Sequence, residues 1–344
     1  MLGYATHRYG VKPFGVVPFG ARTNYNGANA FISEWETENA DDTSSATKTI
    51  VLPLSANPVD IHVNWGDGSY SHITAYDQVD KSHEYATTGT KTIKIVGTLK
   101  GWAFSAAGDK IKLTFISQWG CFDLSASQIF HGCVELEVTA SDAPTVSATY
   151  LYYCFNECRK MTNIGNAAGW DVSSAIIMRA FLRYCNVFNQ DLSPLDISSV
   201  YNMVEMFLSS NALSTANYTS MLESWGAVGA HYVGAMAAHF GDATFTGTTL
   251  VTSAATATTA DKLVDSGQDF TITGLNVQIG DAVWNTTTGA WALVEGVDNA
   301  TTLSISVNIM SDTDGYKILQ SAAAKAKAQW VIDGCVITDG GAAD

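Results

Sequence analysis

A short block recurs four times in the middle of this chain, and no other feature limits its fold as much. Phe130-His131-Gly132-Cys133, Phe155-Asn156-Glu157-Cys158, Phe181-Leu182-Arg183-Tyr184-Cys185 and Phe207-Leu208-Ser209-Ser210 start 25, 26 and 26 residues apart. A second marker keeps the step: Trp170-Asp171-Val172-Ser173-Ser174 returns as Leu195-Asp196-Ile197-Ser198-Ser199, 25 residues on. A unit of this length is too small to bury its own apolar face, so successive units must stack and bury one another's. The pattern predicts a solenoid with Phe130, Phe155, Phe181 and Phe207 piled into one spine. Cys133, Cys158 and Cys185 recur at one phase and are expected to form a buried column of free thiols, each acting as a small hydrophobe. Zinc would need CxxC-type clusters with histidine nearby, and none occurs.

Composition narrows the function classes. The chain has 344 residues, of which 47% are hydrophobic and only 15% charged, which favours packed β-rich structure over disorder. Its net charge of −15 opposes binding to nucleic acid and to anionic membrane surfaces. Met1 to Gly20 has no apolar core of a secretory signal, and no stretch reaches the roughly 18 apolar residues of a membrane span. The expectation is a protein made in the cytoplasm that leaves it within an assembled particle, without membrane insertion.

Five regions follow from the pattern. Residues 1–28 form an arm with two Pro-Phe-Gly units, at Pro13-Phe14 and Pro18-Phe19. Proline fixes φ, glycine permits the turn and phenylalanine supplies an anchor, which suits docking onto a neighbouring subunit. Residues 29–100 alternate like strands, notably Thr47–Leu54, Val59–Trp65 and Lys91–Gly97. Residues 101–244 carry the repeats, with Ile116–Gly120 as the expected cap, and end in a helix from Ser214 to Ala227. Its Tyr218, Met221, Leu222 and Trp225 share one face. Residues 245–319 read as an inserted small β domain with Asn/Gly turns. Residues 320–344 supply a closing helix, Ser321–Val331, with Lys325 and Lys327 expected to point outward.

Three stretches resemble known proteins. Trp65-Gly66-Asp67-Gly68, followed by His83, Tyr85 and Gly89, resembles the signature of PKD domains, which are Ig-like β-sandwiches. The resemblance implies that Asp67 and Gly68 make a hairpin turn, that Trp65 and Tyr85 fill the core, and that His83 bonds the turn. Lys91 and Ile93 depart from the usual residues. Phe181 to Phe207, reading FLRYCNVFNQDLSPLDISSVYNMVEMF, resembles the BspA-like leucine-rich repeats of the DUF285 surface proteins. Its departures are one inserted residue and Leu195 in a tryptophan slot. The insert resembles small β modules of phage fibre and decoration proteins. The implied fold is mainly β with some α: a PKD-like β-sandwich, a short BspA-type leucine-rich-repeat solenoid and an inserted β-barrel or sandwich.

No reaction centre emerges. Asp41-Asp42 and Asp312-Thr313-Asp314 lack the register of a Ca²⁺ loop, and no phosphate, dinucleotide or nucleophile motif occurs. The chain is expected to be non-enzymatic, with no cofactor and no metal. The leading expectation is a virion accessory protein: a head decoration, fibre or spike. Its arm would bind capsid or tail proteins, its other domains a host glycan or surface protein, and the assembly would be a homo-oligomer, with a trimer as the working guess. The alternative is a bacterial cell-surface adhesin of the BspA-like type, and a glycan-active enzyme is the third reading.

Overall fold

The structure, a computed structural model, describes residues 24–227, 237–239, 244–332, 336–339 and 341–343. Pro13, Phe14, Pro18 and Phe19 lie outside the described residues. The described residues are mainly β, with two α-helices among them. The first strands arise from strict alternation. In β1 (Phe31–Glu36) the residues Phe31, Ser33 and Trp35 are buried and their neighbours half-buried. Then come β2 (Thr49–Val51), β3 (Val59–Asn64), β4 (Tyr70–Ile73), β5 (Ser82–Glu84), β6 (Thr90–Leu99) and β7 (Leu113–Gln118). The repeats add β8 (Asp123–Leu124), β9 (Glu137–Val138) and β10 (Thr145–Val146). One six-stranded sheet has the order β4-β3-β6-β1-β7-β9, and β2 pairs with β5 beside it.

Strand β7 joins two kinds of structure. It runs antiparallel to β1 and parallel to β9 of the first repeat. The segment expected to cap the solenoid is therefore part of a sheet that continues into it. Aromatic packing crosses the same boundary. Phe31 meets Phe122 at 4.8 Å between ring centroids, Phe122 meets Phe130 at 5.4 Å, and Phe130 meets Phe155 at 5.3 Å. One apolar core thus runs from Phe31 through the repeats to Trp330.

Backbone hydrogen bonds fix the repeat register. Phe130 N–H donates to Cys154 O (2.7 Å), Phe155 N–H to Phe181 O (2.9 Å) and Leu182 N–H to Met206 O (2.9 Å). Leu182, not Phe181, therefore occupies the place of Phe130, Phe155 and Phe207. Phe181 stands one position earlier, in the column of Ile129, Cys154 and Met206, and it too is fully buried. This corrects the expected register. The physical reason lies upstream of the block. The segment from Cys158 to Trp170 is two residues longer than that from Cys185 to Leu195, and it forms a 3₁₀ turn at Ala167–Gly169. Reading the extra length as an insertion inside the block slides Phe181 into the wrong column. The Asp-Val-Ser-Ser and Asp-Ile-Ser-Ser markers are side-chain-closed turns. Asp171 Oδ1 accepts from Ser173 N–H at 3.1 Å, and Asp196 Oδ1 from Ser198 N–H at 3.0 Å.

Helix α1 (Thr215–Ala227) begins where Ser214 Oγ accepts the Asn217 N–H at 3.2 Å, an N-cap bond. Its face of Tyr218, Met221, Leu222 and Trp225 is buried as expected. Beyond it lie β11 (Ala237–His239), β12 (Thr244–Thr246), β13 (Thr249–Ala254), β14 (Ala257–Thr259), β15 (Lys262–Val264), β16 (Ala282–Asn285), β17 (Trp291–Asn299), β18 (Thr302–Ile305) and β19 (Gly315–Leu319). Strands β13 to β19 form one antiparallel sheet of order β13-β19-β16-β17-β18-β15-β14 around a second core that includes Phe270, Val283, Leu303 and Tyr316. Register shifts along β17 let its first half pair with β16 and its second half with β18, which curls the sheet. Strand β16 starts only at Ala282, because Asp281 N–H closes a turn onto Gln278 O at 3.0 Å.

The chain returns through α2 (Ala322–Ile332), β20 (Val336–Thr338) and β21 (Gly341–Ala343). β20 pairs in parallel with β11, and β21 with β12, so the ends flanking the insert are stitched together. Helices α1 and α2 approach closely. A Cβ on Gly226 would lie 2.2 Å from Ala326 Cβ, so only glycine fits there. Lys327 does not point outward as its sequence pattern suggests. It is 5% exposed, because α2 packs against α1 on one side and against β16 and β17 on another. No helix among the described residues is long and apolar enough to cross a membrane.

Candidate ligand-binding face on the repeats

The stacked rungs place equivalent positions of successive repeats side by side, about 4.8 Å apart. Two such columns adopt positive φ. One holds Gln128, Tyr153, Ala180 and Glu205, the other Gly132, Glu157, Tyr184 and Ser209. Left-handed backbone at residues other than glycine is uncommon and costs of order 1 kcal/mol each. The ladder hydrogen bonds on either side hold it in place. Between these columns runs a third: His131, Asn156, Arg183 and Leu208.

Three of those four residues are polar, and they interact with their flanks. Asn156, only 3% exposed, donates from Nδ2 to His131 Nε2 at 2.7 Å. The His131 ring stacks near Tyr153 at 5.7 Å. Burial lowers the His131 pKa, which keeps the ring neutral and its remaining proton on Nδ1. Arg183 lies over the Tyr184 ring at 4.6 Å, donates to its hydroxyl at 3.1 Å, and approaches Glu205 Oε2 at 3.3 Å. Arg159 meets Glu157 at 3.6 Å. Each cation thus has a carboxylate beside it, so the face is polar and close to neutral in charge. His131 Nδ1, Asn156 Oδ1 and Arg183 Nε are buried without a hydrogen-bond partner among the described residues. The half-buried donor and acceptor groups of His131, Arg183, Glu157 and Glu205, flanked by the Tyr153 and Tyr184 rings, suit a ligand rich in hydroxyl or amide groups.

The repeat-core residues expected from the spacing, Phe130, Cys133, Phe155, Cys158, Phe181, Cys185 and Phe207, are all fully buried. The thiols do more than fill space. Cys158 Sγ donates to Phe130 O at 3.2 Å and Cys185 Sγ to Phe155 O at 3.0 Å. Ser210 Oγ does the same to Leu182 O at 2.6 Å. The polar column was missed because the residue after each spine position looked like spacer. Its signal is a polar residue there in three repeats, followed by a positive-φ position.

Trp65, Gly66, Asp67, Gly68, His83 and Tyr85, the residues expected to form one motif, gather at the β3–β4 turn. Trp65 and Tyr85 are buried, and the Tyr85 hydroxyl donates to Trp65 O at 3.0 Å. His83 stacks on the Trp65 ring at 4.8 Å and meets Asp67 Oδ2 at 2.8 Å. Gly66 and Gly68 take positive φ within the turn, and Gly89 N–H donates to Thr37 Oγ1 at 2.9 Å. This is a pinned hairpin. The loop carboxylates are also engaged. Asp41 pairs with Lys110, and Asp314 accepts from Asn285 Nδ2 at 2.9 Å and from Ser311 N–H at 2.8 Å. Among the described residues no group of three or more histidine, cysteine, aspartate or glutamate side chains could hold a metal ion.

Comparison with known proteins adds one finding. No curated protein and no solved structure matches this chain. Residues 102–246, less than half of the chain, match a family model described as "Mycoplasma protein of unknown function, DUF285". The matched span begins at Trp102 beside the aromatic junction, takes in all the repeats and α1, and ends at β12, so the repeat region is similar to that family.

Proposed function

We propose that this chain is a non-enzymatic display protein whose repeats hold a rigid polar face against a ligand on another surface. In this reading residues 101–244 are a short BspA-like leucine-rich-repeat solenoid, and residues 29–100 are a PKD-like, Ig-like β-sandwich that caps it. Residues 245–319 are an inserted β module, and residues 320–344 close the repeat region. The observation that carries the proposal is the column of His131, Asn156 and Arg183, set on ladder-bonded backbone, with half-buried His131 and Arg183 held beside tyrosine rings. The ligand class is a glycan or a surface protein. Binding by several copies in a homo-oligomer, a trimer being the simplest case, would add avidity.

The similarity of the repeats to the DUF285 family supports a cell-surface adhesin. The Pro-Phe-Gly arm supports a second setting, a virion accessory protein held by capsid or tail proteins through Phe14 and Phe19. Antibody labelling of purified particles and of cell envelopes separates the two. The binding proposal is tested on arrays of glycans and of host envelope proteins. Specific binding that is lost in Asn156→Ala and Arg183→Ala supports it, and wild-type protein that binds nothing on either array sinks it.

A further inference from the structure

Among the described residues two lysine–aspartate pairs have both side chains buried, and their surroundings differ. Lys112 and Asp109 are fully buried 3.3 Å apart, but both are solvated by protein dipoles. Lys112 Nζ donates to Ser45 O, Ser45 Oγ, Ala46 O and Thr49 O at 2.8–3.0 Å, while Asp109 accepts from Ser45 N–H, Ser45 Oγ and Val51 N–H at 2.7 Å each. That pair is a stable ionic clamp on the loop before β2.

Lys327 has no such shell. Among the described residues its Nζ has one hydrogen-bond partner, Asp339 Oδ1 at 2.5 Å, and it otherwise faces the rings of Trp291 at 5.1 Å and Phe245 at 5.3 Å. The two side chains are 6% and 3% exposed. The Tyr218 hydroxyl donates to the other carboxylate oxygen, Asp339 Oδ2. An ion pair in such a setting is costly to desolvate. A neutral amide would remove both charges.

We propose that Lys327 and Asp339 join through an amide bond between Nζ and Cγ, a self-formed crosslink tying α2 to the segment that follows β20. The groups present have the roles this reaction needs. Burial lowers the Lys327 pKa against the raising effect of Asp339, so the neutral amine is accessible. Burial, with Asp339 beside it, raises that of Tyr218 well above its ordinary value, so its hydroxyl keeps its proton and its hydrogen bond. A proton passes from Nζ to the carboxyl group, and the Nζ lone pair then attacks Cγ. The carbonyl electron pair moves onto Oδ2, where the Tyr218 hydroxyl steadies the developing charge. Collapse restores the carbonyl and breaks the Cγ–Oδ1 bond. Oδ1 leaves as water with two protons taken from Nζ. One ammonium and one carboxylate become one amide and one water, with no oxidant, reductant or further reactant.

The test is the intact mass of the purified full chain together with a peptide map. The expected mass is lower than the sequence mass by one water, with a branched peptide joining Lys327 to Asp339. Lys327→Met and Asp339→Ala should each restore the full sequence mass, and Tyr218→Phe should leave a mixture that converts slowly. A wild-type chain of full sequence mass, giving separate linear peptides, overturns the proposal even if no variant folds. Loss of water mapped to any other residue pair overturns it as well.

Discussion

Cys185 Sγ donates to the carbonyl oxygen of Phe155 across the repeat stack, 3.0 Å away, and the thiol of Cys158 does the same to Phe130. This explains why cysteine recurs at that phase. The position needs a small buried side chain that can also satisfy a carbonyl, and Ser210 meets the same need in the fourth repeat. Burial pushes Cys158 well above the ordinary thiol value and Cys154 up to about 12.

Thiol reactivity should follow from this. In the native protein, Cys133, Cys154, Cys158 and Cys185 should resist alkylation, while Cys121, which is only partly buried, should label ahead of them. Mass mapping of iodoacetamide adducts before and after denaturation checks it. Native labelling of Cys158 at the rate of Cys121 would contradict the thiol column.

The corrected register makes a second prediction. Leu182→Ala should cost about 2–5 kcal/mol and Phe155→Ala about 3–5 kcal/mol, because each leaves a cavity in the spine. Phe181→Ala should cost about as much as Phe155→Ala, since Phe181 is also enclosed. Denaturant melts measure these. A Leu182→Ala change of less than about 1 kcal/mol would return Leu182 to the surface, where the simple period places it.

The polar face should separate binding from folding. Arg183→Ala should weaken a ligand found on the arrays about tenfold or more, as expected when a central polar contact is truncated, and Asn156→Ala should weaken it by releasing the His131 ring that it holds. Leu208→Ala, in the fourth repeat of the same column, should weaken it less. Titration calorimetry with circular-dichroism melts reads both effects. Equal loss in all three variants would argue against a localized site.

The hairpin pinned by His83 gives a pH dependence. Burial alone would raise the Asp67 carboxyl, but the hydrogen bonds from His83 and Ser69 overcome it and hold the pKa below the ordinary 3.8. The folded state therefore favours the carboxylate more than the unfolded state does. The stabilisation is present above about pH 4 and is lost as the pH falls through and below that value. Asp67→Asn should flatten this part of the stability profile. An unchanged acid limb in the variant would refute the assignment.

Helix packing offers a fifth check. Gly226→Ala should destabilise by about 1–3 kcal/mol despite alanine's better helix propensity, because its methyl group would overlap Ala326. A stabilised variant would mean that α1 and α2 sit farther apart.

Much of this architecture follows from local rules. Alternation in Phe31–Glu36 requires a strand with one buried face, Ser214 marks the start of α1, and the Asp-x-Ser-Ser markers close their own turns. These features depend on residues a few positions apart, so the chain states them directly. Other decisions needed contacts across long separations. Leu182 replaced Phe181 in the spine because the loop at Ala167–Gly169 absorbs extra length that local spacing cannot locate. Lys327 turned inward because the inserted sheet covers a face that a helix pattern shows as free. His131, Asn156 and Arg183 became one surface only when three repeats stacked. Sequence by itself determined which residues must be buried and where elements begin. Tertiary structure decided which repeats align and which polar groups meet, because register is set by hydrogen bonds between residues some twenty-five apart.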